Sequence, residues 1–187
     1  MNKYIRALVA IPFGAIKMCW TKVFHMKNFR GPFVCIVSPF TEISLDYGAK
    51  LSIGKMFKMR DGAKIRVRKG AECLIGNNTS VNSNNMIVCH EKVIIGDGVQ
   101  FSPNVQIYDH DHDFRHPEGL NANHFKTAPV IIGNNCWIGA NTVILRGTIL
   151  GDNCVVGAGC VIKGEFTAGS VIVQKKETSV SNVGGGK

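Results

Sequence analysis

Six aliphatic residues recur at a strict spacing of six towards the C-terminus of the chain: Ile132, Ile138, Ile144, Leu150, Val156 and Ile162. Glycine follows four of them, and the fifth position of each hexad is small: Cys136, Thr142, Thr148, Cys154 and Cys160. A period of six is typical of a parallel β-helix whose triangular coils take about eighteen residues, roughly six to each side. The aliphatic residues then stack along the axis, and the small residues fit the crowded corners.

The same register extends backwards less regularly, with phase slips after Ala71 and Val93. Its inward positions are Ile53, Met59, Ile65, Ala71, Ile75, Val81, Ile87, Val93, Ile95, Phe101 and Ile107. A slip is expected where a coil gains or loses a corner residue. A conventional β domain would instead alternate apolar and polar residues, with turn signals at roughly eight to twelve residues. The sequence therefore predicts one all-β solenoid domain over residues 42–173.

The first 41 residues contain no Asp or Glu but carry six basic residues: Lys3, Arg6, Lys17, Lys22, Lys27 and Arg30. The apolar stretch 7–16 includes Pro12 and Gly14 and is too short to cross a bilayer. Residues 1–41 are predicted to be a mostly helical segment with two alternative roles. In the first, residues 1–30 lie on an anionic membrane surface. In the second, the helix caps the open end of the β-helix. Residues 174–187 are predicted to form a C-terminal tail.

Charge and cysteine content restrict the partners and the compartment. The chain has 187 residues and a formal net charge of +9, and a second basic run covers residues 50–69. That run has a single aromatic residue, Phe57, and no recognition motif, so a solvated face is favoured over nucleic-acid binding. The seven cysteines include no CxxC pair, and an odd number without a secretory signal predicts reduced thiols and a cytoplasmic location, with possible contact at the inner face of a membrane.

The repeat stops between residues 108 and 128, and four of the six histidines fall there: His110, His112, His116 and His124. The first two belong to the string Asp109-His110-Asp111-His112-Asp113. A loop that leaves a rigid column is a favourable place for an active site, because the scaffold fixes its base while the tip stays adaptable. The sequence therefore predicts an ejected active-site loop at 108–128.

Three segments between about Asn82 and Ile162 carry a family resemblance: Ile95-Gly96-Asp97 with Ser102-Pro103-Asn104-Val105, the histidine loop, and the run from Pro129 to Gly139. In these segments the chain resembles the hexapeptide-repeat acyltransferases, and among them the galactoside, maltose and nodulation-type sugar O-acetyltransferases. The resemblance implies a left-handed parallel β-helix, an exception to the usual right-handed crossover. It also implies a homotrimer with active sites between subunits.

Counted from Pro103-Asn104-Val105, His112 matches the catalytic histidine of that family. Its implied role is that of a general base, which takes the proton of a sugar hydroxyl as the oxygen attacks the thioester of acetyl-CoA. His110 is the rival base, and His110 and Asp111 are predicted to contact the acceptor. Asn82 matches the asparagine that holds the acceptor hydroxyl. No Cys or Ser nucleophile with its own triad is apparent, which favours direct transfer.

The resemblance also implies a CoA cleft along the C-terminal coils and no metal. The backbone N–H of Ala140 would stabilise the oxyanion. The other cofactor-binding positions are Trp137, Gly139, Ala158, Lys163 and Gly164. Residues 171–176 depart from the usual glycine-valine-proline ending of the family, so the sequence leaves open how the nucleotide is held. The basic N-terminal segment favours a lipid-linked sugar, made for a surface polysaccharide, as the acceptor.

Two other functions stay open at this point. A trimeric β-helix with histidines at subunit interfaces also resembles the gamma-class carbonic anhydrases, in which three imidazoles bind zinc. His90, His110, His112 and His116 are the candidate ligands. The third possibility is a non-catalytic β-helix that binds a partner.

Overall fold

The computed structural model describes residues 3–175 and 177–179, without the side chains of residues 3–9 and 122. It contains one α-helix, α1 at Lys3–Phe24, one 3-10 helix at Gly119–Ala122, and short strands in between. The part of the predicted tail at 176 and 180–187 lies outside the described residues.

The strands are mostly two to four residues long. In chain order they are β1 Phe29–Arg30, β2 Ile36–Val37, β3 Glu42–Leu45, β4 Lys50–Ile53, β5 Lys58–Met59, β6 Lys64–Val67, β7 Glu72–Ile75, β8 Ser80–Val81, β9 Met86–Cys89, β10 Lys92–Ile95, β11 Gln100–Phe101, β12 Gln106–Tyr108, β13 His110–His112, β14 Phe125–Thr127, β15 Val130–Ile132, β16 Trp137–Ile138, β17 Val143–Ile144, β18 Ile149–Leu150, β19 Val155–Val156, β20 Val161–Ile162, β21 Glu165–Phe166 and β22 Val171–Ile172.

Three parallel sheets form the sides of a three-sided column. Face A has the order β1-β4-β7-β10-β15-β18-β21, face B has β2-β5-β8-β11-β16-β19-β22, and face C has β20-β17-β12-β9-β6-β3. The chain visits A, B and C in turn and then moves to the next coil. The predicted fold class, a left-handed parallel β-helix with an N-terminal helix and an ejected loop, is confirmed.

The core is a set of stacked aliphatic columns in the predicted register. On face C, Ile87, Ile107, Ile144 and Ile162 pair in succession and are all at most 3% exposed. On face A, Ile95, Ile132 and Leu150 pair in the same way. The small corner residues are also buried, including Thr142 and Thr148, whose hydroxyls donate to backbone carbonyls.

The irregular positions of the repeat all lie on one edge of the column. We name the edges AB, BC and CA after the faces they join. Edge CA takes ten positions from Ile65 to Ile75 and eight from Ile87 to Ile95, but only six from Ile144 to Leu150. The phase slips seen in the sequence are thus extra corner residues, as expected, and the ejected loop leaves from the same edge between Ile107 and Ile132.

Edge AB is held by a ladder of Asn and Asp side chains. Asp97 accepts hydrogen bonds from the backbone and side chain of Asn77, Asn134 accepts from the backbone of Asp97 at 2.9 Å, and Asp152 accepts from the backbone of Asn134 at 2.7 Å. Each bond joins one coil to the next. The motifs at residues 95–97 and 132–134 are therefore part of the scaffold.

Helix α1 covers the open end of the first coil. Its inward residue Met18 belongs to the core, and a Cβ on Gly14 would lie 3.0 Å from the carbonyl oxygen of Cys35. Strand pairing already begins at Phe29, which pairs with Leu51, so the column starts before the predicted boundary at residue 42. Among the described residues, no helix is long and apolar enough to span a bilayer.

Candidate active site

The ejected segment on edge CA folds as an antiparallel hairpin. Strand β13 pairs with β14, so that His110 lies opposite Thr127 and His112 lies opposite Phe125. The 3-10 helix lies in the connection between the strands. In such a pair alternate side chains point to the same face. His110 and His112 therefore share one face, and both rings contact Phe125, at centroid distances of 5.5 and 4.7 Å.

Asp109 fastens the base of the hairpin to the coil below it. Its buried carboxylate accepts three backbone N–H groups, those of His90 at 2.8 Å, Glu91 at 2.7 Å and Lys92 at 2.9 Å. Its backbone carbonyl accepts the N–H of Ala128 at 2.9 Å, which closes the hairpin. Burial alone would raise the pKa of Asp109. The hydrogen bonds from His110 and from the backbone outweigh it and hold that pKa below its ordinary value.

His110 is part of this anchor. Its side chain is 12% exposed, and Nδ1 lies 3.3 Å from Oδ1 of Asp109. The ring packs against that of His90 at a tilt of 30° with centroids 3.8 Å apart, and the ring centroid of Phe125 lies 4.3 Å from that of His90. Burial, followed by the proximity of His110, lowers the pKa of His90 to about 4, so His90 is neutral at neutral pH. His110, the alternative general base, is therefore packed and hydrogen-bonded at the point where the hairpin leaves the column.

His112, in contrast, is exposed. Its ring lies against Phe125 at a tilt of 48°. Within the part of the chain that the structure describes, no hydrogen bond reaches its imidazole. Both ring nitrogens are thus available to an acceptor, on a strand whose position is fixed three residues earlier by Asp109. This geometry meets the first requirement of a general base, which is access to the proton it removes.

Asp111 points to the opposite side of the hairpin, where its carboxylate pairs with Nε of Arg146 at 2.5 Å. Arg146 comes from edge CA of the next coil, so the pair holds the hairpin from above as Asp109 holds it from below. Further out, Lys126 pairs with Asp113 at 2.9 Å and His116 stacks on His124 at 4.2 Å. Asp111, predicted to contact the acceptor, is engaged by this arginine.

The second group of predicted residues lies on edge BC. Asn82 follows β8 and accepts the N–H of Ser83 through Oδ1 at 2.9 Å. Gly139 and Ala140 follow β16, and Ala158 follows β19. They occupy matching corners in different coils, because positive-φ residues recur at the third corner position: Asn84, Asn104, Asn141 and Gly159. A Cβ on Gly139 would lie 2.5 Å from the backbone N of Ala158, so these coils touch.

Edge BC offers the features expected of a CoA cleft. Trp137 is 51% exposed on the outside of face B, beside this edge. The carbonyl of Ala140 accepts the N–H of Gly159 at 2.7 Å, whereas the N–H of Ala140 meets no acceptor among the described residues. A free backbone donor at this position is what the predicted oxyanion role of Ala140 requires.

Lys163 and Gly164 lie on edge CA with the hairpin, where Gly164 has a φ of 118°. Within one chain, the predicted groups therefore lie on two different edges. Edge CA carries His112, Lys163 and Gly164. Edge BC carries Asn82, Gly139, Ala140 and Ala158. A strand of face C lies between the edges, and four to five extended residues span about 15 Å at roughly 3.3 Å each. This separation exceeds the hydrogen-bond reach of about 3 Å that base catalysis needs.

Within one chain, the histidines of the zinc alternative do not gather into a ligand set in the part that the structure describes. No group of three or more His, Cys, Asp or Glu that could hold a metal occurs in residues 3–175 and 177–179. The rings of His90 and His110 pack against each other, and Nδ1 of His110 lies 3.3 Å from Oδ1 of Asp109.

Sequence reasoning missed the residues that hold the hairpin. The sequence pattern does not single out Asp109, Phe125 or Arg146, and it marks His90 only as a candidate zinc ligand. One signal was available for Asp109. It follows inward Ile107 by two positions, and alternate residues of a strand point to the same side.

Comparison with known proteins agrees with this architecture. Residues 129–163 match the family described as the hexapeptide repeat of succinyl-transferase. Over this stretch the chain is similar to hexapeptide-repeat proteins. It is 41% identical over 78 residues to nodulation protein L of Rhizobium meliloti (strain 1021), covering 42% of each chain. It is 40% identical over 78 residues to galactoside O-acetyltransferase of Escherichia coli (strain K12), covering 42% of this chain and 38% of that protein. The matches thus span about two-fifths of these relatives.

A longer and weaker match, 28% identity over 130 residues, is to the putative lipopolysaccharide biosynthesis O-acetyl transferase WbbJ of Escherichia coli (strain K12), covering 65% of this chain and 66% of that protein. Among solved structures, AntD, an N-acyltransferase from Bacillus cereus in complex with dTDP and 3-hydroxybutyryl-CoA, aligns with a TM-score of 0.62 at 19% identity, over 80% of each chain. At this identity the likeness shows the fold.

Proposed function

We propose that this protein is an acyl-CoA-dependent O-acyltransferase that moves an acetyl group from acetyl-CoA to a hydroxyl of a sugar or glycan precursor. The observation that carries the proposal is the contrast between two histidines on one hairpin: His110 is committed to the anchor, while His112 is exposed with both nitrogens free. The named acetyltransferases among the relatives support the reaction class.

In the proposed step, the imidazole of His112 accepts the proton of the acceptor hydroxyl while the hydroxyl oxygen attacks the thioester carbonyl. The negative charge that develops on the carbonyl oxygen is stabilised by the N–H of Ala140. The carbon–sulfur bond then breaks, and the imidazolium returns the proton to the CoA thiolate, so protons and electrons balance without a covalent enzyme intermediate. Asn82 would orient the acceptor hydroxyl.

The same proposal requires more than one copy of the chain. His112 and the N–H of Ala140 lie on different edges of the column, too far apart to act on one substrate. Columns packed side by side with parallel axes would bring edge CA of one copy against edge BC of the next, and three copies close such a ring. We therefore propose a homotrimer with three composite sites, in which Trp137, Gly139 and Ala158 line the CoA cleft.

The test is a thiol-release assay with acetyl-CoA and a panel of sugars, nucleotide sugars and lipid-linked sugars. His112→Ala should lower transfer by about 10²-fold or more, because a positioned base contributes on that order, while CoA binding measured by calorimetry is retained. His110→Ala should lower transfer partly, through loss of the anchor. His116→Ala, further out on the same hairpin, is the matched control. Undiminished transfer by His112→Ala refutes the role of this histidine.

A further inference from the structure

Helix α1 carries two apolar stripes, and the β-helix covers only one of them. The inward stripe contains Ala10, Met18 and Thr21, which are at most 8% exposed. The outward stripe contains Phe13, Ile16, Trp20, Val23 and Phe24, which are 50–67% exposed. Spacings of three, four and seven place these five residues on one side of a helix with 3.6 residues per turn. A helix that is apolar on both sides requires a partner for its outer face.

A further exposed aromatic side chain, Phe33, follows α1 and contacts it through Lys22. The rings of Trp20 and Phe24 contact each other at a tilt of 46°, with centroids 4.9 Å apart. The ammonium of Lys22 lies 5.7 Å above the ring of Phe33, which is 64% exposed. We call Phe13, Ile16, Trp20, Val23, Phe24 and Phe33 the apolar platform. Because the inner stripe of α1 covers the end of the core, the platform faces outward beyond that end. Apolar patches of this kind mark partner or membrane surfaces.

Cationic groups lie next to the C-terminal end of α1. No Asp or Glu occurs before residue 42. Next to the end of α1, on the outside of face A, a cavity of about 380 Å³ is lined by Lys27, Arg30 and Lys50, with Glu72 as its acid. Glu72 is paired with Lys92 at 3.1 Å. The cavity is therefore suited to an anionic group such as the phosphate of a lipid headgroup.

We propose that the apolar platform and the adjoining basic cavity dock on the surface of a membrane that contains anionic phospholipids. Trp and Phe side chains would enter the boundary between headgroups and acyl chains, while Lys22, Lys27 and Arg30 bind phosphates. A second copy of the chain is disfavoured as the occupant, because a self-complementary contact would bring these cations against their own counterparts. This inference does not depend on the acyl-transfer proposal.

The experiment is co-sedimentation of the full chain with vesicles of phosphatidylcholine, with and without phosphatidylglycerol, in the absence of CoA and acceptor. The protein should bind the anionic vesicles and release at high salt. Trp20→Ser with Phe24→Ser should weaken binding by about tenfold or more, because it removes two inserted aromatic side chains. Lys27→Glu with Arg30→Glu should weaken vesicle binding at least as strongly, since each surface cation raises the affinity for an anionic membrane by about fivefold.

Matched controls come from the opposite end of the column. Val173→Ser removes an equally exposed apolar side chain, and Lys175→Glu reverses an exposed charge, and neither should change vesicle binding. In Trp137→Phe, Trp20 is the sole tryptophan, and its emission should shift to the blue on anionic vesicles. Equal binding by Trp20→Ser/Phe24→Ser and the parent overturns the proposal. So does a loss of oligomer in this double variant without loss of vesicle binding, which would assign the platform to a contact between copies.

Discussion

At the scale of single residues, the decisive group is the buried carboxylate of Asp109. It meets three N–H donors of one turn and the imidazole of His110, so it holds the position from which His112 is presented. An asparagine at this position would replace one carboxylate oxygen with an NH2 group, so that a hydrogen-bond donor would face these N–H donors. A buried unsatisfied donor costs about 1–3 kcal/mol, and the lost charge-assisted bonds add to this.

We expect Asp109→Asn to lower the free energy of unfolding by about 2–4 kcal/mol. Amide hydrogen exchange in residues 110–127 should accelerate, because the hairpin loses its anchor. Asp111→Asn is the control, since its partly exposed pair with Arg146 contributes about 1 kcal/mol or less. A similar loss of stability in both variants, measured by urea unfolding at fixed protein concentration, contradicts the anchoring role.

His90 should make stability depend on pH in a defined window. Its pKa falls from 6.5 to about 4 in the folded protein. Between these values the unfolded chain binds more protons, so stability is full above pH 6.5 and declines as the pH falls towards 4. His90→Phe keeps an aromatic ring on His110 and removes this titration.

The difference in unfolding free energy between pH 7 and pH 5 should therefore shrink by about 1 kcal/mol in His90→Phe, after allowance for the partial exposure of this side chain. Urea unfolding at the two pH values measures the difference. His25→Gln, a histidine of the cap outside the cluster, should leave it as in the parent. An unchanged difference in His90→Phe would mean that His90 does not carry the effect.

At the scale of elements, the coils are held at contact distance by corner glycines. A Cβ on Gly133 would lie 2.5 Å from Oδ1 and 2.7 Å from the backbone N of Asp152, within the AB ladder. No side chain fits there unless two coils separate. The small residue is thus required by the approach of neighbouring backbones, in a corner far from the hairpin edge.

We expect Gly133→Ala to lower the melting temperature markedly, by about 5 °C or more, since overpacking of this kind costs about 1–3 kcal/mol. Differential scanning calorimetry measures the change. Ala168→Ser adds one heavy atom at an exposed corner of the same edge and should alter the melting temperature little. Equal melting temperatures of Gly133→Ala and the parent would show that the coils can move apart freely.

At the scale of the whole molecule, the two edges that carry the proposed catalytic groups never meet within one chain. A site assembled from two copies predicts complementation. His112→Ala and Asn82→Ala should each have low activity alone. Mixed oligomers made by co-expression should regain part of it, because some interfaces combine an intact edge CA with an intact edge BC. Activity no higher than that of the separate variants contradicts the composite site.

The column could be read from the sequence because stacking imposes a strict period. Ile132 and Leu150 had to be large and Thr148 small for the coils to close. The phase slips also had a physical reading, as longer corners on one edge. The anchor was harder to find, because Asp109 stands in a polar string typical of an exposed loop, and only its spacing of two from inward Ile107 indicates burial. Its partners are backbone groups, which carry no sequence signal. Arg146 was hidden too, because its contact with Asp111 depends on which coil follows the hairpin.

The level of the hairpin along the column determines how far its substrate must reach. It leaves the fourth strand of face C, three strand spacings of about 4.8 Å above the first coil, with a helix about 10 Å thick beneath. With the cap resting on a bilayer, His112 would stand about 25 Å above the headgroups. A single sugar joined directly to a lipid would lie too close to the membrane to reach the imidazole of His112, whereas a chain of several sugars would be long enough to reach it. The number of coils below the hairpin would then set the minimum length of the acceptor.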